Sequence, residues 1–574
     1  EDGIRDYKVT GVQTCALPIS LSGGSTITAQ TSGAARGGNI RLNTPWLQQQ
    51  GDKSRITTAT SGSGDGGVVA LFTPTSLLSL DLGAGSGISS ETSSSGNGGQ
   101  ILLTNPSAAL SIRGPGLLTA AASSSGDGGS ISLSGSTVTL DQAKVSAQTS
   151  GSGRGGAIRV NADTLILENG GELSTSSLQE PTSPLPSGPA GTIAINANGP
   201  NSVHLRGGSV ISSTTSSANA LRNPSDLGSI TITTPHLSLA GGSHITTSST
   251  GNARGGTIRL NVNGVRPILL TEGSSVSASC NGCTDRGGDI AIDTRAMVLD
   301  GASAIRADGG SGGRAGNIRI NLQQDLLLAR GSRIDASTSG RGGSSSDQAN
   351  INIRVGGDLW LSNGSSIRAS ALGYANGGNL QLNVGRFLFA GFPPQSNGND
   401  ILASAYFGNG GRIDVKALGI FGVNLNTFES RVSDASARSR QGRNGVVSVI
   451  TPFLTPDRGV IPIAEPLDPS NDVVRACAPR ADGRRAEFSQ SGRGGLPHQP
   501  GDLPSSLPPL EDLGQPEPLR SADRVPLGSI PAAAPGHTPA ASARAASAPD
   551  AAAPLALAIG SGPELPQPPL PPCP

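Results

Sequence analysis

The chain has 574 residues, no formal net charge and a composition unlike that of a large globular protein. Glycine contributes 83 residues and aromatic residues only 2%, with one methionine and two tryptophans. A large globular core normally uses aromatic side chains, and a disordered chain normally carries net charge. The composition therefore favours a narrow core filled by isoleucine, valine, leucine and alanine.

Charge and hydropathy exclude further classes. Zero net charge gives no reason to expect nucleic acid or anionic lipid as a partner, and we expect no nucleic-acid binding. No apolar run approaches the roughly 18 residues that a membrane-spanning helix needs. The five cysteines are too few for a disulfide scaffold and do not fix the redox compartment.

The first 20 residues, EDGIRDYKVTGVQTCALPIS, lack the glycine- and serine-rich character of the text that follows. They resemble a translated adapter sequence, and we expect them to be a non-native segment. The alternative is a degenerate signal peptide, but the apolar stretch is short and has no basic start. The native sequence then begins at residue 21, within a repeat.

A motif of the form Gly-Gly-x-Ile-x-(Ile/Leu/Val) recurs along the chain at intervals of 27 to 37 residues. Similarity at a fixed period is the mark of a repeat architecture. The first apolar residues of the fourteen copies are Ile40, Val69, Ile101, Ile131, Ile158, Ile193, Ile230, Ile258, Ile290, Ile318, Ile351, Leu380, Ile413 and Val447.

A second motif lies between the copies and has the form apolar-x-apolar, glycine turn, Ser-x-apolar, as in LSLAGGSHITTSS from Leu237. Each repeat thus has three short stretches with period-2 alternation, which is typical of strands. Such strands bury one face only if successive repeats stack. We therefore predict an all-β, single-stranded parallel β-helix of about fourteen coils, with its regular repeats over residues 21–385. Ile40, Ile101, Ile158 and Ile258 would form inward ladders, and glycine pairs would supply positive φ or close backbone approach at the corners.

Arginine is frequent beside the glycine corner, and a row of arginines could bind an acidic polysaccharide. The alternative is that these arginines are solvent-exposed surface residues without a binding role. The candidate polyanion-binding residues are Arg36, Arg154, Arg254, Arg286 and Arg314.

Catalytic and metal-binding candidates are sparse. The densest acidic set is Asp285, Asp289, Asp293 and Asp300, for which we expect a solvated face rather than a catalytic cluster. Cys280 and Cys283 form a close pair without two further zinc ligands nearby. A loop disulfide between them is the preferred interpretation, with free thiols as the alternative. We expect no cofactor and no metal.

After residue 385 the composition and the repeat pattern of the sequence change. Five aromatic residues indicate a small cluster in irregular final coils and a cap over 386–455, because the last coil of a solenoid must be covered. These are Phe387, Phe389, Phe392, Tyr406 and Phe407. Residues 456–500 form a distinct segment, and residues 501–574, rich in proline and alanine, predict a disordered tail.

The C-terminal region resembles a known family. SDASARSRQGRNGVVSVITPFLTPDRG (433–459) and the later stretch with Cys477, Phe488 and GRGGLP (492–497) are similar to the ends of filamentous haemagglutinin-like exoproteins of cyanobacterial type. The resemblance covers about residues 21–505. It implies two-partner secretion through an outer-membrane transporter barrel, with a secreted or cell-surface location.

The family implies adhesion or surface association but does not imply the molecular target. A surface polysaccharide and a host or neighbouring cell are the candidate partners, and we expect no enzyme. The family's N-terminal secretion domain has no counterpart here, so we expect a fragment. The main alternative is a carbohydrate-active β-helix enzyme, a polysaccharide lyase or hydrolase, which needs converging carboxylates. A contact-dependent toxin and an autotransporter are less favoured, because neither a folded C-terminal toxin nor a terminal barrel pattern follows the repeats.

Overall fold

The computed structural model describes residues 17–451, apart from residues 52, 74–76, 179–187, 218–227, 252–253, 282–285, 311–313, 339–348, 392–397, 426–429 and 431. These residues form an all-β parallel solenoid and contain no helix. Consequently, none of the described segments is a helix able to cross a bilayer. The predicted segment 456–500 and the tail 501–574 lie outside the described residues, as do residues 1–16.

Each coil contributes one strand from the Gly-Gly-x-Ile motif to a first ladder. All pairs in this ladder are parallel and join one coil to the next, as the stacking prediction requires. The strands are Asn39–Asn43, Val68–Phe72, Gln100–Asn105, Ser130–Asp141, Ala157–Glu168, Thr192–Ala197, Ser229–Thr234, Thr257–Val262, Asp289–Thr294, Asn317–Leu322, Asn350–Val355, Asn379–Val384, Arg412–Lys416 and Val446–Ile450.

The apolar-x-apolar motif forms a second ladder. Ser130–Asp141 and Ala157–Glu168 are long enough to belong to both ladders, which joins them into one 26-stranded sheet. The other strands are Ile19–Leu21, Trp46–Gln49, Leu78–Leu82, Leu110–Arg113, Val203–Leu205, Leu237–Leu239, Ile268–Leu270, Met297–Leu299, Leu326–Leu328, Leu359–Leu361, Phe387–Ala390 and Gly419–Phe421. The ladder begins at Ile19, two residues before the predicted boundary at residue 21.

The Ser-x-apolar motif forms a third ladder, a separate sheet of 14 strands that matches the fourteen predicted coils. Its strands are Thr26–Thr28, Arg55–Thr57, Gly87–Ser89, Leu117–Thr119, Lys144–Ser146, Glu172–Ser174, Val210–Ser212, His244–Thr246, Ser275–Ser277, Ala304–Arg306, Arg333–Asp335, Ser366–Arg368, Asp400–Leu402 and Ala435–Ser436.

A fourth line of contacts, at the corner between the third ladder and the next coil's first ladder, was not predicted. It consists of single parallel bridges such as Thr92 with Ala122 and of one small sheet. The strands of that sheet are Thr215–Ser217, Ser249–Gly251 and Cys280–Asn281. The corner is missed by sequence patterns because one bridged residue per coil has no period-2 alternation.

The core is a set of vertical columns of like residues, as predicted. Ile101 pairs in register with Ile131, and Ile131 with Ile158. Ile258 likewise pairs with Ile290, and all these side chains are almost wholly buried. The narrow interior therefore needs no aromatic residue, which explains the composition of the chain.

The two roles expected of glycine fall on different glycines. In the Gly-Gly-x-Ile motif the cause is close approach: a Cβ on Gly129 would lie 2.0 Å from the carbonyl oxygen of Gly99 in the preceding coil. In the turn between the second and third ladders the cause is backbone conformation. Gly301 and Ala302 both have a φ of 63° there, as in a type I′ turn.

The serine that follows this turn is buried and has a structural role. The Ser243 hydroxyl donates to the carbonyl of Ala240 at 2.7 Å, and the Ser303 hydroxyl does the same to the carbonyl of Asp300. Because a buried hydroxyl without a partner is costly, this bond explains why the motif places serine after the glycine turn.

We predict that Gly129→Ala destabilises the solenoid by about 1–3 kcal/mol or more, because the new methyl group overlaps backbone atoms of the neighbouring coil. The measurement is chemical denaturation followed by circular dichroism. Gly33→Ala is the matched control, since a Cβ there meets nothing within 4 Å and φ is not positive. Equal denaturation midpoints for the two variants would contradict the close-approach explanation.

Candidate functional site

The predicted arginine row is interrupted at the corner that precedes the first ladder. Arg36 and Arg154 are separated by three coils, which carry Asp65, Asn97 and Asp127 at the equivalent position. Side-chain oxygens of these three residues accept the backbone N–H of the next coil at 2.7–2.8 Å. This part of the corner is therefore an Asp/Asn hydrogen-bond column rather than a cationic stripe.

The other three predicted arginines, Arg254, Arg286 and Arg314, do lie in successive coils. Asp289 forms ion pairs with Arg254 at 3.2 Å and with Arg286 at 2.7 Å. The carboxylate offsets part of their positive charge, so the region is less cationic than the sequence suggests. A role for these residues in polyanion binding stays a prediction.

The acidic set does not converge on one site. Asp289 and Asp293 lie in the first ladder, where Asp293 accepts a side-chain amide of the next coil at 2.6 Å. Asp300 lies in the turn after the second ladder and is paired with Arg330, whose hydrogen bond lowers the pKa of Asp300. Asp285 lies outside the described residues. The three described carboxylates thus have separate partners.

Cys280 lies in the small corner sheet and is almost fully buried. It is disulfide-bonded. Cys283 lies outside the described residues, so a bond between Cys280 and Cys283 stays a prediction.

The aromatic residues of the last coils form two groups rather than one. Phe389 stacks between Trp360 and Phe421, with ring centroids 4.0 and 5.2 Å away, on the outer side of the second ladder. Tyr406 and Phe407 belong to a different group beside the third ladder. Phe392 lies outside the described residues. Residues that are close in sequence are separated here because they belong to different parts of the coil.

A groove of about 610 Å³ lies between the third ladder and the corner in the later coils, and sequence analysis missed it. We call it the arginine groove. Residues from three or more successive coils contribute to it, so no single repeat contains it. Its lining includes Asp335, Ser337, Arg368, Ser370, Leu372, Leu402, Ser404, Tyr406, Arg438 and Arg440.

The register of the third ladder creates the charged side of this region. Arg306, Asp335 and Arg368 occupy the same outward position in three successive coils. The sequence does contain a signal for this alignment, because the charged residue directly follows the buried isoleucine in each of SAIRAD, SRIDAS and SSIRAS. Arg368 Nε and the Ser370 hydroxyl are buried and have no hydrogen-bond partner among the described residues.

Aromatic residues lie beside this charged side. The guanidinium of Arg440 lies 5.1 Å from the centre of the Tyr406 ring, within the range of a cation–π contact. Phe407 packs against Tyr406 and stacks on Tyr374 at 4.6 Å. Tyr374 is 56% exposed and Leu372 is 69% exposed. The groove therefore combines cationic and hydroxyl groups with an exposed apolar surface.

Asp308 lies one coil before the groove and has the most perturbed carboxyl of the region. Burial is the main cause, followed by the negative charge of Asp335, and together they raise the pKa of Asp308 to about 7. The cations Arg306 and Arg333 oppose this effect only in part. Asp308 Oδ1 is buried and has no hydrogen-bond partner among the described residues. This carboxyl can hold a proton near neutral pH.

The described part of the chain contains no group of three or more histidine, cysteine or acidic side chains placed to hold a metal ion. The chain matches no protein-family model, and no curated protein or solved structure is significantly similar to it.

We predict that Asp308→Asn removes a pH-dependent loss of stability. Because the native pKa of Asp308 lies above that of an unfolded aspartate, the native state is favoured at low pH and this advantage is lost as pH rises through 7. At about pH 8 the free energy of unfolding of the variant should exceed that of the wild type by on the order of 2 kcal/mol. At about pH 4 the two proteins should unfold at the same denaturant concentration.

The control is Asp163→Asn, which changes an exposed carboxylate of the first ladder. Denaturation at both pH values, followed by circular dichroism, measures the effect. An unchanged pH slope in Asp308→Asn would show that this carboxyl does not carry the predicted penalty.

Proposed function

We propose that this chain is the repeat region of a secreted or surface-associated adhesive rod of the filamentous haemagglutinin-like kind. The observation that carries the proposal is the stack of fourteen in-register coils, whose outward side chains vary while the inward columns stay alike. Such a stack presents a long, continuous surface, which suits binding to extended or repetitive partners. The sequence resemblance over 433–459 and 492–497 supports the choice of this family.

Export is part of the same proposal. The family resemblance implies an outer-membrane transporter barrel as the partner and an extracellular location at the outer membrane. A stacked solenoid is compatible with this route, because coils can form one after another as the chain emerges. In the native gene we expect an upstream signal peptide and secretion domain, with a transporter gene nearby.

A carbohydrate-active enzyme is the second candidate, and one observation favours it. Asp308 can keep a proton near neutral pH while Asp335, one coil away, lies close enough to raise its pKa. Glycoside hydrolysis uses two carboxyls, one of which holds a proton. Against an enzymatic function, Asp335 already accepts hydrogen bonds from the backbone N–H of Ser337, at 3.0 Å, and from the Ser337 hydroxyl.

We predict that the purified full chain adheres to acidic polysaccharide surfaces without degrading them. Retention on immobilised polygalacturonate and alginate measures adhesion, and the release of reducing ends or unsaturated products measures catalysis. We expect saturable retention and no product above the level of Asp308→Asn. Product release by the wild type that Asp308→Asn abolishes would replace the adhesive proposal with the enzymatic one.

A further inference from the structure

We propose that the arginine groove is a binding site for an acidic polysaccharide, which lies along the solenoid axis with its anionic groups paired to Arg368 and Arg440. This places the ligand away from the arginines of the glycine corner. The inference names a ligand class for the proposed adhesive function, but the site does not depend on how the chain is exported.

The charge of the groove favours an anion. Three arginines, Arg368, Arg438 and Arg440, line it together with one carboxylate, Asp335. Asp335 already accepts the hydrogen bonds of Ser337. By contrast, Asp289 pairs with two arginines of the glycine corner. The lining of the groove thus carries three positive side chains and one negative side chain.

The spacing of the cations favours a repeating anion. Arg368 lies two coils before Ser436, and Arg438 and Arg440 lie two and four residues after Ser436. Two coils correspond to about 10 Å along the axis. A monosaccharide in an extended chain is comparable in length with one coil, so carboxylates of a uronate polymer recur at intervals that can meet both ends of the groove.

The remaining lining suits a sugar. Ser370 lines the groove, and its hydroxyl, which has no hydrogen-bond partner among the described residues, can bond to a sugar hydroxyl. Leu372 is 69% exposed and, with the half-buried Tyr406, provides an apolar wall against which the C–H face of a sugar ring can pack. Polar groups on one side and an apolar surface on the other are typical of ligand-binding clefts.

The backbone of the groove argues against a peptide strand as the ligand. Backbone N–H groups of Ala336, Ala369 and Ala403 all donate to carbonyls of the next coil at 2.8–2.9 Å. These groups are therefore unavailable for β-strand addition, which recognises peptides through an open sheet edge. Recognition must come from side chains, which here are guanidinium, hydroxyl and aromatic groups.

The test is calorimetric titration of the full chain with an oligogalacturonate, a sulfated oligosaccharide and a neutral dextran oligosaccharide. We expect at least one of the two acidic sugars to bind, with affinity that falls as salt rises, and the neutral sugar to bind much more weakly. Arg368→Gln should weaken binding by about tenfold or more, the effect of losing one charge-assisted pair. Arg368→Lys should retain part of the affinity, since it keeps the charge without the planar fork.

Arg259→Gln is the matched control, because Arg259 is an exposed outward residue of the first ladder and does not line the groove. Unchanged circular dichroism and denaturation midpoints would show that the variants are folded.

Equal affinity of wild type and Arg368→Gln would overturn the inference, as would binding of polyglutamate as tight as that of the acidic sugars. If the groove binds no sugar while the chain still adheres to polysaccharide surfaces, the inference fails and the adhesive function stands. If the groove binds sugar but the chain adheres to no surface, the adhesive function fails.

Discussion

Register between successive coils is the constraint on which the structure depends. Every coil donates and accepts backbone hydrogen bonds with the coils above and below, so each strand is paired on both sides except at the ends. This pairing needs coils that approach closely at the corner, and the glycine pairs make that approach sterically possible. Register also stacks inward residues into columns, which lets short strands without aromatic residues bury a continuous core.

The same register determines what the outer surface can do. Inward columns repeat from coil to coil, whereas the position after the buried isoleucine of the third ladder changes from Thr28 and Thr57 in the first coils to Arg306, Asp335 and Arg368 in later ones. A separate groove in the early coils is lined by Thr31, Thr60, Thr92 and Glu91, whereas the arginine groove of the later coils is lined by three arginines and one aspartate. Substitutions at the outward positions of a single coil can thus change the chemistry of the surface without changing the buried core.

Asp308 shows the limit of that freedom. Stacking charged residues in adjacent coils brings like charges within interaction distance, and here it places two carboxyls together beside buried arginine groups. The resulting pKa shift is a cost in stability at neutral pH. The pairing of Asp289 with Arg254 and Arg286 illustrates the opposite outcome, in which neighbouring coils supply the compensating charge.

The sequence alone determined the period, the three strands of each coil and the inward columns, because these follow from local alternation and glycine spacing around residues such as Ile131 and Ile258. The tertiary structure decided which outward side chains become neighbours. Coil lengths vary from 27 to 37 residues, so residues such as Arg306, Asp335 and Arg368 meet only once the register is fixed. For that reason the fold was predictable, whereas the corner bridges and the arginine groove were not.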